Sequence, residues 1–330
     1  WGSVRSSYYN APISRDVLDR AMESAYPGEL PPEKRVIHLI PQGYSVDGLK
    51  GVRNPIGMHA LRLDLETLCI VGPATSAQNL VRCVEGNGIE VQSTIMAGMA
   101  TADSVLSRDE KETGVILLEI GAGCTTISLF QQGILWNAAV LPVGGFQFTT
   151  DLAVALNAPY SVAEEAKVLH GRATPEDAGD DRVEIEAFGD RQTVKVERKE
   201  ISRYLHDRAE EILRLAQMKV NSFGLPSIPP AGVVLCGGAA KLPGIQKLAR
   251  HVFACPIRIG LPEPIDGMPE GFQDPAYPSS LGILLWGMRN VAQQEMVQKL
   301  NGTIAVVNES RRTNSGPLRW IKARAKRLAL

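Results

Sequence analysis

The chain has 330 residues, enough for two or more domains with a sizeable core. Its 44 % apolar and 22 % charged composition excludes a disordered chain, and a net charge of −1 speaks against whole-protein attraction to nucleic acid. The five cysteines (Cys69, Cys83, Cys124, Cys236, Cys255) form no C-x-x-C pair, and the five histidines show no metal-ligand spacing, so free thiols and no metal site are expected.

No run of 18 apolar residues is present, and no charged-then-apolar leader opens the sequence, so neither a spanning helix nor a signal peptide is expected. The sequence starts on Trp1 and reads as part of a longer protein. Ser14 is placed to cap a helix whose Val17, Leu18, Ala21, Met22 and Ala25 recur at 3–4 spacing. Proline-rich 27–32 ends it. Strands are expected at about 36–40, 43–47 and 60–71, then a helix from Thr75 to about 85 closed by Gly86-Asn87-Gly88. A short strand at 89–94 and a helix at 97–106 follow. From Thr113 three apolar runs, VILLEI, TTISLF and ILWNAAVLPV, predict a β-meander. Helices are expected at about 146–156 and 161–169, a hairpin at 183–197, and a long amphipathic helix at 199–223. A strand, a Gly-Gly turn and a helix occupy 231–253, and a further helix 279–300. Polar residues at 301–316 read as a linker before a basic, periodic end.

Two glycine turns carry the chemistry. Gly121-Ala122-Gly123 lies between two apolar β runs, and Gly237-Gly238 follows a third. Glycine supplies positive φ in any tight turn, and that structural use is one reading. The other is that successive bare N–H groups converge on an anion. Thr125 and Thr126 would add hydroxyl donors at the rim, and Cys124 a weakly donating thiol. The second turn leads from a strand towards a helix, where orphan N–H groups and the helix dipole favour negative charge. Close helix–strand packing is its alternative. Neither a P-loop nor a Rossmann fingerprint is present.

I-G-A-G-C-T-T, followed about 110 residues later by V-V-L-C-G-G-A-A-K-L-P-G, resembles the second phosphate loop and the adenosine loop of the actin/Hsp70/sugar-kinase superfamily. VIHLIPQGYSVDGLKGVRNPIGM (36–58), PVGGFQFTTDLAVAL with SVAEEAKVLHG (142–171), and LPGIQKLARHVFACPIRIGLP (242–262) resemble blocks of the FtsA family of bacterial cell-division proteins. The likeness covers nearly the whole chain. It implies an α/β, actin-like (ribonuclease H-like) fold with the family's 1C subdomain, lacking the first part of subdomain IA. The implied organisation is 1C (SHS2-like) at 1–93, an IA remnant at 94–113, IIA at 114–160 and 231–300, and IIB at 161–230. A linker at 301–315 and a membrane-targeting helix at 316–330 complete it.

The resemblance also implies a cofactor, ATP with Mg²⁺. Its contacts would come from Glu119, Gly121, Ala122, Gly123, Cys124 and Thr125 on the phosphate side and Gly237 and Gly238 on the adenosine side. Gly145, Glu164 and Lys167 would lie near the ribose or base. From the residues alone Glu164 and Lys167 read better as a solvated i,i+3 ion pair. Against the family's D-I-G-G-G-T-T-D, Glu119 is longer, Ala122 adds a Cβ, Cys124 replaces a hydroxyl, Thr126 removes a carboxylate, and Phe146 stands where Asn is frequent. Phosphoryl transfer depends on metal and water positioning, so weak ATP binding with little or no turnover is expected, and no catalytic residue is assigned.

The end reads GPLRWIKARAKRLAL. At 100° per residue Leu318, Ile321, Ala325, Leu328 and Ala329 share one arc, with Arg319, Lys322, Arg324, Lys326 and Arg327 on the rest. A solvated tail, a nucleic-acid contact and an in-plane membrane anchor all fit this composition. The family ends in an amphipathic targeting helix, which implies membrane contacts at Leu318, Trp320, Ile321, Lys322, Arg324, Ala325 and Leu328. The function so implied is a cell-division adaptor. It self-associates, binds the FtsZ C-terminal tail through IIB and other divisome proteins through 1C, and sits peripherally on the anionic cytoplasmic face of the membrane at the division site. A PilM-like scaffold or a small-molecule kinase of the same superfamily are the alternatives.

Overall fold

The computed structural model describes residues 2–5, 12–189, 193–265 and 267–289. The chain divides into a unit ending at Ile283 and a second beginning at Leu284. In the second unit residues 284–289 are helical. The expected linker 301–315, the membrane-targeting helix 316–330 and the end of the 279–300 helix lie outside the described residues.

The first unit opens with a four-stranded antiparallel sheet, order β1-β4-β2-β3, from β1 (Gly2–Arg5), β2 (Lys34–Val46), β3 (Leu49–Val52) and β4 (Arg62–Pro73). Helix α1 (Arg15–Ala25) buries Ala21 and Ala25 with Ile13, Val46, Leu63 and Leu65, as its 3–4 spacing requires. The two strands expected at 36–40 and 43–47 are one strand, β2. Its pairing with β4 shifts register between Val36 and His38 and again between Pro41 and Gly43, which is where the sequence pattern breaks. Ser14 occupies the N-cap of α1 without a side-chain cap bond. Helix α2 (Ala74–Glu85) begins after Pro73, so Thr75 lies inside it rather than capping it. The strand expected at 89–94 does not form, and this stretch joins no sheet among the described residues.

Helices α3 (Ala97–Val105) and α4 (Arg108–Thr113) lead into the second sheet. Ser107 and Glu110 form a reciprocal capping box at α4, a signal that the sequence reading passed over. The sheet has order β11-β10-β5-β6-β7. Strands β5 (Val115–Ile120), β6 (Thr125–Gln131) and β7 (Ile134–Leu141) form the expected meander, while β10 (Val233–Cys236) and β11 (Ile257–Ile259) add in parallel.

Both faces of this sheet are covered, which explains why VILLEI is apolar throughout rather than alternating. Ile116, Leu118 and Ile120 face one large core with α5 (Gly145–Ala155), α7 (Arg198–Asn221) and α8 (Ile245–Phe253). Val115 and Leu117 face the other side, with α3 and with Ile40, Leu68 and Ile70 of the first sheet. Helix α6 (Tyr160–His170) and the β8–β9 hairpin (Arg182–Glu186, Thr193–Glu197) pack beside α7. Arg208 of α7 binds Asp151 of α5 through two nitrogens, at 2.6 and 3.0 Å. Helix α9 (278–283) closes the first unit. It lies against α3 so tightly that a Cβ on Gly282 would stand 1.8 Å from the Ala100 carbonyl oxygen.

Candidate functional site

The site is built where two neighbouring strands end. β5 and β10 run parallel, with Glu119 opposite Cys236, so the turns that follow them emerge side by side. Gly237 has φ +88°, and a Cβ there would stand 2.3 Å from the Ile120 carbonyl oxygen. Only glycine lets the second turn rest on the end of β5 in this way. The third participant is the start of α5. Gly145 N–H donates to the Gly121 carbonyl at 2.8 Å, and Phe146 N–H to the Ala122 carbonyl at 2.8 Å. A Cβ on Gly145 would lie 3.7 Å from Ala122 Cα and 4.0 Å from Ala239 Cβ, so Gly145 touches both turns at once.

The two bends that the sequence suggested therefore face one place. The 121–124 turn and the 237–239 turn lie side by side, with Gly145 next to both Ala122 and Ala239. The N–H groups of Ala122, Gly123, Cys124, Gly238 and Ala239 have no acceptor among the described residues. Open space surrounds the Cβ position of Gly238, and only the Phe146 ring, 3.9 Å away, borders that of Gly123. Bare backbone donors around an open concavity can take an anionic group, and a flat ring fits beside the small residues.

Several expectations change in detail. Gly121 and Gly123 do not have positive φ, so they serve to leave the turn bare and not to bend it. Ala122 likewise adopts no left-handed conformation, and its Cβ is accommodated. Thr125 is not a donor at the rim: it is buried in β6 and its hydroxyl donates to the Val143 carbonyl at 2.8 Å. Thr126 is also buried. The Gly-Gly turn does not open an α-helix. A 3₁₀ turn (Gly238–Lys241) intervenes before α8, so the helix-dipole contribution expected there is absent. The turn is instead braced from behind: Gly237 N–H donates to the Pro275 carbonyl at 2.6 Å, and Lys241 pairs with Asp274 at 2.6 Å.

Glu164 and Lys167 on α6 pair at 2.6 Å, and both bind the Thr149 hydroxyl of α5. Thr149 lies one turn beyond Gly145 on the same helix face, which brings the pair next to the crevice floor. Burial works to raise the Glu164 carboxyl, but the Lys167 and Thr149 hydrogen bonds outweigh it and hold the pKa below the usual range. Glu119 turns towards α3. Its Oε2 accepts from Thr101 Oγ1 at 2.8 Å and its Oε1 from Ser279 Oγ. Burial, and then the Glu119 charge, pushes the neighbouring Cys236 thiol well up. Thr101, Thr149 and Ser279 were missed in the sequence. The available signal was a hydroxyl on the inner face of a helix, where it needs a partner.

The fold is actin-like α/β, as its likeness to solved structures shows. MreB5 of Spiroplasma citri, in a structure bound to ADP, has a TM-score of 0.56 at 16 % identity over 68 % of either chain. The PilM–PilN type IV pilus biogenesis complex has a TM-score of 0.56 at 16 % identity, over 87 % of this chain and 76 % of that one. These likenesses concern the fold.

Family comparisons are narrower. Residues 116–282 match the cell division protein FtsA family, and residues 3–71 match the SHS2 domain inserted in FtsA. The chain is 34 % identical to the cell division protein FtsA of Pseudomonas aeruginosa over 82 % of its length, and 34 % identical to that of Borreliella burgdorferi over 93 %. Identity to the Escherichia coli K12 protein is 32 % over 94 %. It spans 66 %, 74 % and 75 % of those three relatives. The chain belongs to the FtsA family of cell division proteins.

Proposed function

We propose that this chain binds a nucleoside triphosphate in the crevice between the 121–124 and 237–239 turns and acts in cell division as a membrane adaptor for FtsZ. One observation carries the nucleotide reading: the two bare turns and Gly145 converge, with unpartnered N–H groups on both sides. The phosphates would lie on the first turn and the adenosine beside Gly238, with the Glu164–Thr149–Lys167 group towards the ribose. The crevice residues are small, and the Cβ position of Gly238 is open, so the cradle fits a ligand that approaches main chain closely.

Hydrolysis is not what these residues favour. Glu119 is engaged by two hydroxyls, and Thr126 offers no carboxylate. That also counts against the small-molecule kinase alternative, which needs a free base. A PilM-like scaffold shares the fold at 16 % identity, half the identity to FtsA proteins.

The adaptor role is read from family membership. On this reading the first 93 residues form 1C and 94–113 belong to IA. The meander and the 231–300 region form IIA, and 161–230 forms IIB, which takes the FtsZ tail. Residues 316–330 hold the membrane, and self-association multiplies a weak single anchor. Calorimetric titration with ATP tests the site. The chain is expected to bind, and Gly238→Phe, placed in open space, is expected to remove binding while the thermal midpoint stays in place. Equal binding by both would sink the reading.

A further inference from the structure

We propose that Glu119 is a latch and not a holder of metal-bound water, so that the crevice as these residues build it takes nucleotide without a divalent cation. This rests on the nucleotide reading above. Each carboxylate oxygen of Glu119 accepts a hydroxyl, from Thr101 of α3 and Ser279 of α9, and the two hydroxyls are themselves 2.6 Å apart. Thr101 is fully buried. One side chain thus fastens the end of β5 to two helices. Swinging the carboxylate towards the crevice would strip both hydroxyls of their charged acceptor in a site where water does not reach Thr101. Thr101 would keep only the neutral Ser279 hydroxyl, and giving up a charge-assisted hydrogen bond at a buried group is costly.

Glu119 reaches both helices from the end of β5. The other acids near the crevice are also committed. Glu164 binds Lys167 and Thr149, and Asp274 binds Lys241 and the Ala276 N–H. Thr126, the cross-strand neighbour of Glu119, supplies no second carboxylate. Among the described residues no group of three or more His, Cys, Asp or Glu is arranged to hold a metal. A hydrated Mg²⁺ at a nucleotide is usually held through one or two carboxylates, and the described crevice leaves it none. The Mg²⁺ expected from the family does not fit these residues.

The test is a fluorescent-ATP titration of the whole 330-residue chain in Mg²⁺ and in EDTA. Wild type is expected to bind alike in both, within about 2-fold, whereas loss of a metal-orienting carboxylate contact ordinarily costs about 10-fold or more. Thr101→Val with Ser279→Ala frees the carboxylate, and Mg²⁺ should then tighten binding by about 10-fold. Should that pair fail to fold, Glu119→Gln decides. A latch predicts that this variant binds ATP in Mg²⁺ as wild type does, and a metal-water holder predicts the 10-fold loss. Wild-type binding that collapses in EDTA overturns the latch and leaves the nucleotide reading standing. No binding in either condition overturns both.

Discussion

At Gly237 one missing methyl group decides how two strands end. Its φ of +88° and the 2.3 Å clearance to the Ile120 carbonyl leave no room for a side chain. Gly237→Ala is expected to destabilise the fold by about 1–3 kcal/mol, read by urea denaturation, while Gly238→Ala, in open space, should change little. Glycine abundance made both turns visible in the sequence. The reason each glycine is there was not, because φ and backbone clearance depend on the neighbouring strand. Gly121 and Gly123 proved to be bare without being left-handed, and Thr125 turned out to spend its hydroxyl inward.

His38 was equally unremarkable in the sequence. Its Nε2 accepts the Met96 N–H at 2.9 Å, and burial lowers its pKa. The unfolded chain therefore binds a proton more readily than the folded one. Stability from this group is fully present above the unfolded value of about 6.5 and falls as the pH drops below it, towards the folded pKa. His38→Gln should flatten that slope in denaturation midpoints measured between pH 7 and 5. An unchanged slope would assign the dependence elsewhere.

Among the elements, α7 was the most legible. Ile201, Leu205, Ala209, Ile212, Leu213, Ala216 and Val220 all lie on its buried face, and the 3.6-residue period marks them directly. Leu205→Ala removes a fully buried side chain against Gly171 and is expected to cost about 2–5 kcal/mol. The Arg208–Asp151 pair that joins α7 to α5 could not be read, since its partners are 57 residues apart. A double-mutant cycle at these two positions should give a coupling of about 1 kcal/mol or more. Near-zero coupling would mean that α5 is held by packing alone. The overlooked α4 did carry a signal, its Ser107/Glu110 capping box; the strand at 89–94 failed for another reason. Short segments carry too little pattern for their own sequence to outweigh what packs around them.

For the whole molecule, family membership and the actin-like architecture were legible because long blocks of sequence resemble the FtsA family. The contacts that shape the crevice were not, since Thr101, Glu119 and Ser279 meet only in three dimensions. The basic end, residues 316–330, belongs to this scale too. Vesicles rich in anionic lipid should sediment the full chain and release it when residues 316–330 are removed. High salt should weaken the binding, because cations near an anionic surface contribute about 1 kcal/mol each.

The central claim is that two distant turns close on one nucleotide. Photolabelling with an azido-adenine ATP analogue, mapped by mass spectrometry, tests it most directly. Label on peptides that contain residues 237–241 or 160–170, suppressed by excess ATP and by Gly238→Phe, is the expected result. Label confined to other surfaces, or insensitive to ATP, would contradict it.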